Sequence, residues 1–147
     1  MYEFVDRHPN TLDSCGRFLL WATRGWAQAA SRKACPPHSL YRGFTKVGAV
    51  SALAHFHVVM ALLHRDSLEP LTVAEMACCR IREDEALLLS LWQHVGRDRG
   101  AVLAATLEHM VKPESVMPIA RALTSCRTQL LLAGFEPSIA GTAKIED

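Results

Sequence analysis

Histidine and cysteine are the side chains of this chain best suited to hold a metal, and it carries seven and five of them. His55, His57 and His64 lie in one apolar stretch. Zinc-type histidine pairs on a helix use one face, typically four positions apart. On a helix His55 and His57 point about 160° apart, and His57 and His64 share a face but stand roughly 10 Å apart along the axis. No single ion bridges that separation, so these histidines read as hydrogen-bonded core or interface residues. Cys78 and Cys79 are adjacent, so their side chains diverge in a helix or a strand, unlike the C-x-x-C clamp of zinc and redox sites. A thiol- or metal-responsive site would have to combine one of them with His38, Cys35 or His94. Cys78, Cys79, His38 and His94 are therefore the metal candidates. Cys15 and Cys126 sit on apolar stripes and read as small core residues. Cys35, just before Pro36-Pro37, reads as the accessible thiol.

Other chemistries find less to work with. A carboxylate-bridged di-metal centre needs Glu-x-x-His pairs on facing helices, and the chain contains no Glu-x-x-His. Glu83, Asp84 and Glu85 suit the positive end of a helix dipole. No phosphate-cradling glycine loop, G-x-S-x-G elbow or credible Ser/His/Asp order stands out. No catalytic and no cofactor-binding residue is assigned, no cofactor is implied, and the small-molecule ligand, if any, is unknown. Leu71 to Ala77 followed by Ile81 and a second helix has the cadence of a helix-turn-helix over residues 71–95, with Thr72 as the first cap. Its turn lacks the usual glycine, and its second helix would push Glu83, Asp84 and Glu85 toward phosphates. DNA binding is thus an alternative to a protein-association role, and no nucleic-acid partner is expected.

The elements that must position these residues are helices. At 100° per residue Leu12, Cys15, Phe18, Leu19, Ala22, Trp26 and Ala29 form one stripe, which predicts a helix over residues 11–31 capped by Thr11 or Asp13. The Cys35-Pro36-Pro37 sequence ends it. A short helical piece follows over 38–45, then a helix over 48–64 that is apolar nearly all round and is the candidate central helix. Pro70 breaks the chain, and Leu71 to Met76 could be extended or helical. A helix starts near Glu83 and carries Leu87, Leu88, Leu91, Trp92 and Val95. After a turn at 96–100 comes a helix with Val102, Leu103, Leu107, Met110 and Val111. Pro113 and Pro118 bracket the start of the last helix, and Gly134 ends it. The expected fold is all-α, a compact bundle of five or six helices with an extended link around residues 67–80. Residues 1–135 form one domain, and residues 136–147 a loose tail.

Half of the 147 residues are hydrophobic, enough for a core without disulfides or metal. Lys and Arg number 16 against 15 Asp and Glu, which gives no general attraction to nucleic acid or to an anionic membrane. The uncharged run Val47 to Leu63 barely reaches the length of a membrane span, and a buried helix explains it better. Met1 to Asp6 lacks the layout of a signal peptide, so with five cysteines a reducing cytoplasm is expected. Leu20 and Trp21 lie off the stripe of the first helix, beside Arg17, Arg24 and Gln28, and the helix around His57 is apolar on too many faces. Apolar surface in excess usually marks association. Leu20, Trp21, Phe56 and Met60 are therefore the candidate interface, with a homodimer as the simplest oligomer.

From Leu68 onward the chain resembles a group of short, uncharacterised bacterial helical proteins. The resemblance rests on Leu68 to Leu71, on Cys78 or Cys79 in a link, on Asp84-Glu85-Ala86-Leu87-Leu88-Leu89 and Gln93, and on Ala133-Gly134. It covers the second half, with a looser echo at Leu20-Trp21. It implies a small helical fold with an extended link at Leu71 to Cys79, and it brings no activity. The chain departs from the pattern at Arg82, where a Ser or Thr cap is expected, and in having its cysteines adjacent.

Overall fold

Asp13 starts the first long helix by accepting the Gly16 amide on its carboxylate at 2.8 Å. It satisfies an amide that has no partner inside the helix. In the computed structural model, which describes residues 4–96 and 99–135, this helix is α1, Ser14–Ser31. Thr11 instead belongs to a short 3-10 turn, Pro9–Thr11, and its hydroxyl donates to the His8 carbonyl. The helices that follow are α2, Pro36–Lys46, α3, Val50–Asp66, α4, Glu83–Gly96, α5, Gly100–Met110, and α6, Pro113–Leu132. The fold is all-α, as the periodicity predicts, with no strand among the described residues. The expected tail at 136–147, and Arg97 and Asp98 of the expected turn, lie outside those residues.

Both proline expectations need correction. Pro36 and Pro37 open α2 as its first residues, where a missing amide costs nothing. The end of α1 is set earlier: Lys33 at φ 58° donates to the Ala30 carbonyl, and Ala34 donates to that of Ala29. This is the Schellman closure. The same closure ends α2 at Gly48 and α6 at Gly134, both at positive φ. Pro118 does not flank α6 but lies inside it. It is exposed, so water can reach the carbonyl that it leaves without an amide.

Lys33 is the one member of this set with a Cβ in the left-handed region, which costs about 1 kcal/mol or more. Lys33→Gly is expected to raise stability by roughly 0.5–1 kcal/mol after the added freedom of the unfolded chain is subtracted. A higher urea midpoint at unchanged slope checks this, and an unmoved or lower midpoint would count against it.

Helix α3 is central, packing against α1, α2 and α6. It runs antiparallel to α6: the Cys126 thiol donates to the Ala52 carbonyl at 3.7 Å, while Ser115 at the other end donates to the Asp66 carboxylate. Burial pushes the Cys126 thiol up to about 12, so it stays protonated and inert in the core. Phe56 is fully buried and touches Phe44 of α2 and Trp92 of α4, with ring centroids 5.7 and 6.3 Å away. Helices α1 and α2 approach closely because Gly43 has no side chain. A Cβ there would lie 2.2 Å from the Trp21 ring.

The junction of α3 and α6 is charged. Arg65 donates twice to Asp66, at 2.9 and 2.7 Å. These bonds first, and the Ser115 hydroxyl second, hold the Asp66 carboxyl far below the usual carboxylate range. A depressed folded-state pKa adds stability that is present above the unfolded value near 4 and is lost as pH falls below it. Asp66→Asn is expected to flatten the loss of stability on acidification below about pH 4. Parallel urea titrations of the two proteins test it, and identical acid profiles would exclude the contribution.

Candidate functional site

The link from Ser67 to Arg82 has no helix, and its backbone needs partners elsewhere. Arg24 on α1 and Glu85 on α4 supply them. The Arg24 Nε and Nη2 atoms donate to the two Glu85 carboxylate oxygens at 2.8 and 3.0 Å. Nη1 donates to the carbonyls of Met76 and Cys78 at 3.3 and 2.9 Å, and Nη2 also to that of Arg80 at 3.0 Å. These acceptors match the five N–H groups of a guanidinium. Glu85 in turn accepts the amides of Arg82 at 2.8 Å and Ala74 at 3.0 Å. At the third position of α4 it forms the back half of a capping box, which Arg82 joins through its backbone amide alone. Asp84 accepts the Thr72 amide at 2.6 Å.

Arg24 and Glu85 are 3% and 0% exposed at their side chains. The bonded Glu85 carboxylate raises the Arg24 pKa further above its already high value. Both groups are saturated: the guanidinium donates five hydrogen bonds and the carboxylate accepts four. Neither has a free proton or lone pair to offer a substrate, so the pair is a clamp that fixes the link.

The clamped link forms one wall of a groove of about 920 Å³. Trp26, Ala27 and Ala30 of α1 and Met60 and His64 of α3 line the opposite side, and Leu71, Val73, Ala74 and Met76 line the wall. The Trp26 indole N–H donates to His57 Nδ1 at 3.0 Å, which places the His57 proton on Nε2 when that ring is neutral. The His64 ring meets Trp26 edge-on with centroids 5.6 Å apart. Two apolar walls with polar groups at their edges are the usual make-up of a binding concavity. Gln28, Ser31, Arg32 and Glu75 provide those groups here.

No protein-family model, curated protein or solved structure matches this chain. The site therefore stands on its own geometry.

The structure scatters the metal candidates. Cys78 and Cys79 lie in the link beside His8, where Cys78 and Cys79 line a second hollow of about 330 Å³. His38 is exposed on α2, and His94 is half-buried near the end of α4. Among the described residues no group of three or more His, Cys, Asp or Glu side chains is placed to hold an ion. Cys35 is exposed, as expected of an accessible thiol, and so is Cys79.

The interface candidates lie largely within the chain's own packing. Leu20, Phe56 and Met60 are 3%, 0% and 5% exposed. Trp21 is half-buried, with its ring over Gly43 and 5.6 Å from that of Phe18. On the side of α1 that reads as polar, Leu20 and Trp21 pack against the link and α2 while Arg17 and Gln28 stay exposed, so the apolar excess at these two positions is explained inside one copy. Met60 alone of the four also lines the groove.

The helix-turn-helix expectation also fails in the link. Residues 70–75 have no helical structure, and Thr72 donates its amide to Asp84 instead of capping a helix. No helix among the described residues is long and apolar enough to cross a membrane. Sequence reasoning missed the clamp, the Trp26–His57 bond and the groove. The third-position glutamate before an apolar helix is a usable sign for Glu85. Nothing local marks Arg24, whose partner is 61 residues away.

Proposed function

We propose that this chain is a non-catalytic protein that acts by associating with another polypeptide through the groove between α1, α3 and the link. The observation that carries the reading is the Arg24–Glu85 clamp. Burying an ion pair to hold a helix-free segment open against two helices is costly in desolvation, and here it preserves an accessible concavity walled by Trp26, Met60, Leu71, Val73 and Met76. The half-buried Leu71 and Val73 and the exposed Met76 give the groove an apolar surface that suits an apolar partner, with the largely buried Trp26 and Met60 opposite them. Self-association, with a homodimer as the simplest case, is one form of this role. Five cysteines without a disulfide support a reducing compartment such as the cytoplasm. The balanced charge and the helix-free link favour a protein partner over nucleic acid.

Ala27→Arg tests it, because Ala27 is half-buried in the groove and the change keeps helix propensity while filling the space with a charged chain. Sedimentation across a wide concentration range, and selection of displayed random peptides on the immobilised full chain, are to be run on both proteins. The expected result is self-association or peptide binding that Ala27→Arg weakens by about tenfold or more, about 1.4 kcal/mol. A wild type that neither self-associates nor retains any peptide sensitive to Ala27→Arg removes the proposal.

A further inference from the structure

The link carries an unpaired backbone edge beside the groove. The Thr72 amide donates to Asp84 and the Ala74 amide to Glu85. Both therefore face the start of α4, and this every-other-residue repeat is that of an extended chain. The Val73 amide and carbonyl between them then face the opposite way. Neither Leu71 nor Val73 makes a backbone hydrogen bond among the described residues. Their side chains are half-buried and line the groove with Trp26 and Met60. An extended segment with free donors and acceptors is a template for another strand.

Charge selects the occupant further. Arg24 is spent on Glu85 and three carbonyls, so the other full charges lining the groove are Arg32 at the end of α1 and Glu75 in the link. Neither forms an ion pair among the described residues. We propose that the groove takes an extended polypeptide segment that pairs with Val73 as an added strand, turns apolar side chains toward Trp26 and Met60 at alternate positions, and meets Arg32 with a carboxylate and Glu75 with a cation. A helical partner satisfies its own backbone and has nothing to offer the Val73 amide. The proposal rests on the association reading above and specifies its partner.

The experiment uses the full chain and the strongest peptide from the random display library, with amide exchange followed by NMR. In the free protein the Ala74 amide, bonded to Glu85, is expected to exchange slowly and the Val73 amide fast. On binding, Val73 is expected to slow by about tenfold or more. N-methylation of alternate peptide amides is expected to weaken binding by about tenfold or more, and N-methylation of the intervening amides to change it little. A groove-bound peptide that leaves Val73 exchange unchanged, or tolerates every N-methylation, overturns strand pairing while the association reading survives. Apolar residues recurring at helical spacing among the selected peptides overturn it equally. Failure to recover any peptide that Ala27→Arg weakens overturns strand pairing, and it defeats the association reading too when the chain does not self-associate either.

Discussion

Glu85→Ala is expected to cost about 3–5 kcal/mol of stability, because it leaves the Arg24 guanidinium buried without its counter-charge. The change also strips acceptors from the Ala74 and Arg82 amides, adding backbone groups with no partner. For a domain of this size the loss corresponds to a fall in melting temperature of roughly 10–15 °C. Arg24→Ala is expected to be comparable, since the carbonyls of Met76, Cys78 and Arg80 lose their donor. Arg24→Lys keeps the charge but not the planar fork, and it should recover only part of the loss. Urea denaturation of the three variants measures this. A Glu85→Ala cost under about 1 kcal/mol, typical of an exposed pair, would show that the clamp is not buried as described. Hydrogen exchange adds a local check: the Ala74 and Arg82 amides should exchange faster in Glu85→Ala than in the parent, beyond the change at distant helix amides.

Phe56→Ala is expected to destabilise by about 3–5 kcal/mol, the usual cost of removing a buried aromatic ring and leaving a cavity. The ring is fully buried between Phe44 and Trp92, so it joins α2, α3 and α4 at one point. The same variant separates a core role from an interface role. A core residue lowers the melting temperature equally at every protein concentration. An interface residue instead makes the loss depend on concentration, because assembly contributes to stability by mass action. A loss confined to high concentration, with little change when dilute, would return Phe56 to an interface.

The positions of the helices were legible because a helix repeats every 3.6 residues and its ends are marked by local chemistry. Asp13, the acidic triplet at Glu83 to Glu85 and Gly134 mark ends that the structure uses. The close of α1 is also local in origin, set by Lys33 in the left-handed region before Cys35-Pro36-Pro37 is reached. Proline serves a helix start as well as a stop, and neighbouring residues alone do not separate the two. The tertiary structure decided which faces meet. Leu20 and Trp21 look surplus on an isolated helix, but α2 and the link cover them.

The candidate site belongs almost wholly to that second level. Arg24 and Glu85 are ordinary surface-type residues in the sequence, and only their meeting across 61 positions makes burial affordable for both. The groove likewise exists only once α1, α3 and the link are assembled. Sequence alone determined the helices, since each turn's hydrogen bonds and apolar spacing involve residues a few positions apart. Folding in three dimensions decided the clamp, the groove and the free edge at Val73, since each depends on partners that the chain brings together from far apart.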